Sequence, residues 1–411
     1  MEISSNYRDM VFSTVSFLYA FTGKMLLLPL LPAIQQEFAL THTKGSLLWS
    51  AFLLVYAIVQ LYVYKVINKY GKKQTLFLAT GAYAAILLVM GFSRMYEGLL
   101  CLQLVAAIPN GVFFIAGLSI VEDLKTDGNS ATNLGIYISG SSLAYILAPV
   151  VAGIALKTGE WRWAYRSWAA VGFIMVIMLY GLCKDCVIPM PSNENTVKTN
   201  SGAGSYYYVF TLPYLIVLTV LLLDSGRVSA QNTFFCSYLI MDRGISEPLA
   251  ATIYTFFQLG VIAGQFAGGI ISSIIGSSHA VMGACASTTL LTYLVTVIRS
   301  VKLVAIESTF LGFVSGMSFP ILLGLLLDLT PVEAKAQSTG IANALSFVLA
   351  SVGSLSIGKI IDGFGFTQGF IYLSVVAAIS FAGILAGAKV CPQLKDIGAR
   401  TVLQKAKVKS E

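Results

Sequence analysis

Charge is what this sequence has least of. Only 11% of its 411 residues are Asp, Glu, Lys or Arg, 56% are hydrophobic, and the mean hydropathy is +0.80. A water-soluble globular fold is excluded, because such domains carry about a quarter of their residues as charges. Histidine is nearly absent: His42 and His279 both fall where loops are expected, which argues against a histidine-based site. The sequence has no Walker loop, metal-ligand cluster or nucleophile elbow, so neither an enzyme nor a cofactor is expected. The six cysteines make no disulfide framework; Cys101, Cys236 and Cys285 lie in or near apolar runs, and the Cys183/Cys186 CxxC has no second ligand pair. A net charge of +7 does not point to nucleic acid either, since the basic residues gather in short loops and in the tail after Lys389.

What the sequence has is apolar runs long enough to cross a bilayer, which takes about 20 residues of helix. Twelve can be laid almost end to end, from 11–34 through 47–66, 75–92, 99–121, 134–156 and 163–182 to 209–240, 250–275, 280–298, 303–327, 341–361 and 370–389. They are continuous, not alternating, so helices are expected instead of barrel strands. Glu2, Arg8 and Asp9 precede the first full-length run, which reads as part of the fold and not as a cleaved signal. With the N-terminus inside, 15 Lys/Arg fall on cytoplasmic segments and nine on outer loops, with Lys24 and Arg227 inside helices. Lys65, Lys69, Lys72 and Lys73 carry much of that excess, and both termini are expected to be cytoplasmic, in a plasma or inner membrane.

The one long polar interval, rich in Pro, Ser, Asn and Gly, divides the chain. It gives an N-terminal six-helix bundle over 1–183, a cytoplasmic linker over 184–205, a C-terminal six-helix bundle over 206–390 and a basic cytoplasmic tail over 391–411. The halves repeat. The offset between Gln60 and Gln265 also superposes Gly71 on Gly276, Arg94 on Arg299, Gly111 on Gly316, Asp123 on Asp328, Gly135 on Gly340 and Gly153 on Gly358. Parallel six-helix repeats place a substrate site near the midplane between the halves and expose it to each side in turn.

A charge well inside an apolar run costs about 2.5–3.5 kcal/mol and needs a reason, and four are candidates. They are Lys24, Asp224, Arg227 and Glu307. Asp224 and Arg227 are three apart on one helical face and could neutralise each other. Lys24 and Arg227 could instead clamp an anionic or zwitterionic substrate, while snorkelling, or pairing of Lys24 with Asp224 or Glu307, is the alternative. A coupling proton needs a carboxylate that changes protonation; Asp224 is the first expectation and Glu307 the second, although Glu307 near a helix end could be a surface charge. Tyr19, Asn110, Tyr145, Gln231 and Asn343 are expected to complete the substrate site; Tyr56, Tyr137, Asn232 and Gln258 are further polar candidates, and each taken singly could equally be a helix-to-helix hydrogen bond.

The segment Tyr64 to Lys73, with Asn68, Lys69, Gly71, Lys72 and Lys73, resembles the loop signature of the major facilitator superfamily, Gly-x-Leu-x-Asp-Arg-x-Gly-Arg-Lys. Asn68 stands in place of the signature aspartate, which locks an inner gate through its charge. The small residues Gly135, Ala144, Ala148, Pro149, Ala152 and Gly153 are similar to the family's antiporter motif, and Trp161-Arg162-Trp163 to a stretch at the start of helix 6 in drug/proton antiporters. Leu28 to Ile34 with Gln60 is similar to the bicyclomycin-resistance type of exporter. Gln103 stands where the antiporters carry an arginine implicated in proton transfer, so that route cannot operate here. The resemblance implies an all-α membrane protein of twelve helices in two six-helix pseudo-repeats, with Asn68, Gly71, Lys72, Asp123 and Asp328 at the inner gate. It implies a monomeric secondary transporter that uses protons and a small-molecule substrate, either exporting a carboxylate-bearing or amphipathic compound or taking up an organic anion or amino acid. A transport-inactive receptor is the alternative of another class.

Overall fold

The computed structural model describes residues 2–122, 130–182, 211–331 and 334–391. Among them all regular structure is helical: α1 Glu2–Met25, α2 Leu27–Glu37, α3 His42–Tyr70, α4 Lys72–Met90, α5 Tyr96–Glu122, α6 Ser130–Lys157, α7 Arg162–Leu182, α8 Leu212–Ser237, α9 Glu247–Ile275, α10 Ser277–Val297, α11 Val301–Asp328, α12 Lys335–Phe364 and α13 Phe366–Val390. Twelve segments are long and apolar enough to span a membrane, α1 and α2 together making the first, Tyr7–Glu37. The helix breaks between α1 and α2 because Pro29 has no N–H to offer the Met25 carbonyl and its ring crowds that turn. Side chains such as Leu61, Ile177, Ile270, Ile274 and Phe310 are exposed, as a lipid solvent requires.

The repeat is written in the helix boundaries. The starts of α3 and α9, of α4 and α10, and of α5 and α11 keep the offset that relates Gln60 to Gln265. The turns repeat as well: Gly71 at φ 81° and Gly276 at φ 87° occupy the left-handed region before α4 and α10, where a side chain would be strained. The signature segment expected as a loop is mostly helix. Tyr64 to Lys69 form the last turns of α3, and Gly71 alone makes the turn. His42 and His279 are also helical, His42 opening α3 and His279 sitting in the first turn of α10.

Two compact units emerge. One takes its described residues from Met1–Leu40, Leu47–Thr199 and Ser246–Thr252, the other from Thr41–Ser46, Asn200–Ile245 and Ile253–Glu411. In the second unit Tyr214, Leu221, Val281, Leu322, Leu325 and Ile384 form a buried core. Beside it α9 and α11 pack almost backbone to backbone. A Cβ at Gly260 or Gly264 would fall on the Thr309 or Phe313 carbonyl, and one at Gly312 or Gly316 on the Phe257 or Val261 carbonyl. Small residues substitute for the hydrophobic drive that lipid does not provide. Also in this unit, the Asp362 carboxylate accepts hydrogen bonds from the His42 and Thr43 backbone N–H at 2.6 and 2.8 Å, which caps the start of α3.

Gly264→Val is expected to remove more than about 3 kcal/mol of stability, because a rigid backbone cannot yield. Gly269→Ala, with nothing near its added carbon, is expected to change it by less than about 0.5 kcal/mol. Thermal unfolding of the detergent-purified variants measures both.

Candidate functional site

In the first unit the site residue furthest from ordinary surroundings is Lys24. It closes the last turn of α1, next to the Pro29-induced break, and is 4% exposed. Its ammonium stands over the Tyr56 ring at 4.2 Å, Phe21 at 5.1 Å and Trp49 at 5.7 Å. Each such face contributes roughly 0.5–2 kcal/mol to holding a desolvated cation. Trp49, Phe52 and Tyr56 stack along one face of α3, and Tyr145 packs edge-on against Phe21. The expected Tyr145 therefore belongs to the Lys24 surroundings. Phe21 and Trp49 were not anticipated; the helical spacing of Trp49, Phe52 and Tyr56, at i, i+3 and i+7, was the available signal.

Tyr19 and Asn110 are placed differently. Tyr19 is buried between Trp168 and Tyr83, and a Cβ at Gly172 would coincide with its hydroxyl. The Asn110 amide donates to the Ala20 carbonyl at 2.8 Å, tying α5 to α1. Tyr137 donates to the Phe113 and Phe114 carbonyls. Asn110 and Tyr137 thus tie neighbouring helices together. Gln103 is buried at 4% exposure on α5.

The Trp-Arg-Trp stretch turns out to be a staple within this unit. Arg162 grips Glu37 with two nitrogens at 2.8 and 2.6 Å and donates through Nε to the Ser93 carbonyl at 2.7 Å; Trp161 Nε1 donates to Glu37 at 2.6 Å. Arg166 pairs with Glu160 at 3.1 Å and reaches the Gly91 carbonyl. The fork suits a carboxylate, which lysine cannot reproduce.

In the second unit Asp224 and Arg227 are joined. Arg227 Nη2 and Nε lie 2.8 and 3.1 Å from Asp224 Oδ1, and Nη1 donates to Gln231 Oε1 at 2.8 Å. Residues at i, i+3 and i+7 thus close one buried polar strip on α8. Asn232 Oδ1 accepts from Tyr254 at 3.1 Å and Gln258 at 3.0 Å. Asn343 sits half-buried on α12. Glu307 is not the surface charge it could have been: it is 6% exposed, and neither carboxylate oxygen has a hydrogen-bond partner among the described residues.

At the expected gate, Asn68 is exposed on the last turns of α3, and Lys72 donates to the Ser119 carbonyl at 2.9 Å. Lys73 pairs with Asp9 at 2.6 Å. Asp328 is exposed at the end of α11. Asp123, Cys183, Cys186, the 184–205 linker and the tail beyond Cys391 lie outside the described residues.

The model of the Major Facilitator Superfamily matches residues 13–238 and 217–393. The chain belongs to the major facilitator superfamily. It is a transporter and not an enzyme. Among curated proteins this superfamily member is similar to the D-galactonate transporter of Escherichia coli, 21% identical with 84% of this chain and 87% of that protein covered. It is similar to Multidrug resistance protein 1 of Bacillus subtilis, 21% identical over 88% and 92%. The hexuronate transporter of Bacillus subtilis is 23% identical, and the match spans 59% of each chain. Among solved structures, a bacterial homologue of the human lysosomal transporter Spinster superposes with a TM-score of 0.80 at 12% identity over 95% and 98% of the two chains. The nucleoside transporter NupG gives 0.78 at 12% identity over 93% and 99%.

Replacing Arg162 by Gln in this transporter is expected to cost about 1–2 kcal/mol, discounted because Glu37 is partly exposed, and Arg162→Lys to recover less than half. Thermal unfolding of the purified variants checks this.

Proposed function

We propose that this superfamily member is a proton-coupled secondary transporter that works by alternating access and exports a small carboxylate-bearing or amphipathic compound. The observation that carries the reading is Lys24, a cation kept inside an apolar bundle on aromatic faces, which is suited to receive an anionic group as it leaves water. Flat rings around the ammonium add apolar surface for the body of such a compound. Two relatives are named for hexuronate and D-galactonate, both sugar acids, which supports a carboxylate. Another is named for multidrug resistance, which supports export.

Arg227, closed onto Asp224, is assigned a structural role before a substrate role. The coupling proton is accordingly assigned to Glu307 and not to Asp224. Tyr145 lines the Lys24 site; Gln231 orients Arg227. Asn68, Gly71, Lys72 and Asp328 are assigned to the inner gate, where an asparagine in place of the signature aspartate gives a lock built on hydrogen bonds. The chain is taken as a monomer in a plasma membrane, with six-helix bundles over 1–183 and 206–390 joined by a cytoplasmic linker. Proton-linked uptake of an organic anion is the second reading, favoured by the two sugar-acid names. A transport-inactive receptor finds no supporting observation.

Proteoliposomes loaded with a panel of sugar acids and amphipathic dyes, under pH gradients of each sign, test this. Export against protons predicts that substrate moves opposite to the imposed proton gradient, whereas uptake predicts movement with it. Lys24→Met is expected to lower transport of the carboxylates at least tenfold while leaving neutral or cationic compounds within about threefold. Equal loss for every compound would reject Lys24 as the anion contact.

A further inference from the structure

From Phe38 to Tyr96 the sequence holds no Asp or Glu, while Lys65, Lys69, Lys72 and Lys73 gather at the end of α3 and the start of α4. Two of these are engaged: Lys72 donates to the Ser119 carbonyl and Lys73 pairs with Asp9. Lys65 and Lys69 are exposed and form no ion pair among the described residues. Their ammonium groups stand over tyrosine rings instead, Lys65 at 5.2 Å from Tyr62 and 6.0 Å from Tyr64, and Lys69 at 5.1 Å from Tyr70. Asn68 between them brings no charge. The nearest acids in sequence, Glu37 and Glu97, belong to the end of α2 and the start of α5, and Lys65 lies about 35 Å along α3 from its first residue at 1.5 Å per residue.

The helix that carries these lysines has two faces. Val63 and Ile67 are buried, in step with Val59, whose side chain a Cβ at Gly111 would strike, so this side packs on α5. The other side is open over several turns. Leu54, Ile58, Leu61 and Tyr62 are 44–58% exposed, and Lys65 and Lys69 continue the row, at i, i+4, i+7, i+8, i+11 and i+15. Along roughly 22 Å the chemistry of this row changes in one direction, from aliphatic through aromatic to cationic. A phospholipid monolayer changes in the same order, from acyl chains through the interfacial layer where tyrosine is enriched to the phosphates. A water-filled path has no use for the three aliphatic side chains, and an apolar partner helix has none for the two cations.

We infer that this face of α3 is a docking surface for a phospholipid with an anionic headgroup, whose phosphate is held between Lys65 and Lys69 and whose acyl chain runs along Leu61, Ile58 and Leu54. Residues four apart are neighbours on a helix, so both ammonium groups can reach one phosphate. A zwitterionic headgroup fits less well, because its own ammonium meets a surface without a carboxylate. Free phosphate fits less well too, because the aliphatic row contributes only when the phosphate carries a chain. The inference needs this end of α3 to lie at a membrane surface, and it stands apart from the direction of transport and from proton coupling.

Native mass spectrometry of the full chain released from detergent micelles, titrated with phosphatidylglycerol or with phosphatidylcholine of the same acyl chains, tests this. Each lysine near an anionic lipid surface is worth about a factor of five in binding. The wild type is therefore expected to retain phosphatidylglycerol roughly twentyfold more tightly than phosphatidylcholine, and the double variant Lys65→Gln/Lys69→Gln to hold the two lipids within about threefold of each other. Lys65→Arg/Lys69→Arg is expected to keep the preference. So is Lys302→Gln/Lys359→Gln, which removes two exposed lysines elsewhere. Glycerol phosphate at millimolar concentration is expected to leave the bound lipid in place. Equal affinity of the wild type for the two lipids would overturn the inference, and that readout needs no variant to fold. Equal loss in the two glutamine pairs would overturn it as well, since net charge alone would then attract the lipid. Displacement by glycerol phosphate would do the same, since the ligand would then be a free anion.

Discussion

A charge carried inside a bundle of lipid-solvated helices is costly, and that cost organises what is distinctive about this transporter. Three solutions occur. Lys24 is held on aromatic faces, Asp224 and Arg227 hold each other, and Glu307 is matched by nothing among the described residues. A lone buried carboxylate is tolerable when protonated and costly when ionised. Its isolation is the ground on which the coupling proton is proposed to reside there.

The same cost governs the backbone in lipid. Helices satisfy their own polar groups, and where two must approach closely the sequence offers glycine, as along α9 and α11. Where a helix must be interrupted, proline does it: Pro29 breaks the first span beside Lys24, so the cation sits at the weak point of its helix. The Glu37–Arg162–Trp161 staple fixes the end of α2 beyond that break. The proposed anion contact at Lys24 therefore lies beside the break between α1 and α2.

Much of the architecture was legible in the sequence, because hydropathy and a constant repeat offset are one-dimensional signals. The twelve spans and the matching starts of α3 and α9 follow from them. Side-chain partners were not legible. Asp224 and Arg227 could be seen to share a face, but whether they closed on each other or on a substrate depends on neighbours that spacing does not give. Glu307 lay near a helix end and could pass for a surface charge until its surroundings on α11 were known. The Tyr64–Lys69 segment reads as a loop because it is polar, yet one glycine with positive φ is enough to turn the chain. His42 and His279 misled for the same reason: polar helix ends resemble loops.

The central claim is that the coupling proton resides on Glu307 and on no other buried acid. Substrate counterflow and pH-driven transport in proteoliposomes carrying Glu307→Gln decide it. The account predicts counterflow within about threefold of the wild type and loss of the response to an imposed pH gradient. Undiminished pH-driven accumulation in that variant would contradict it.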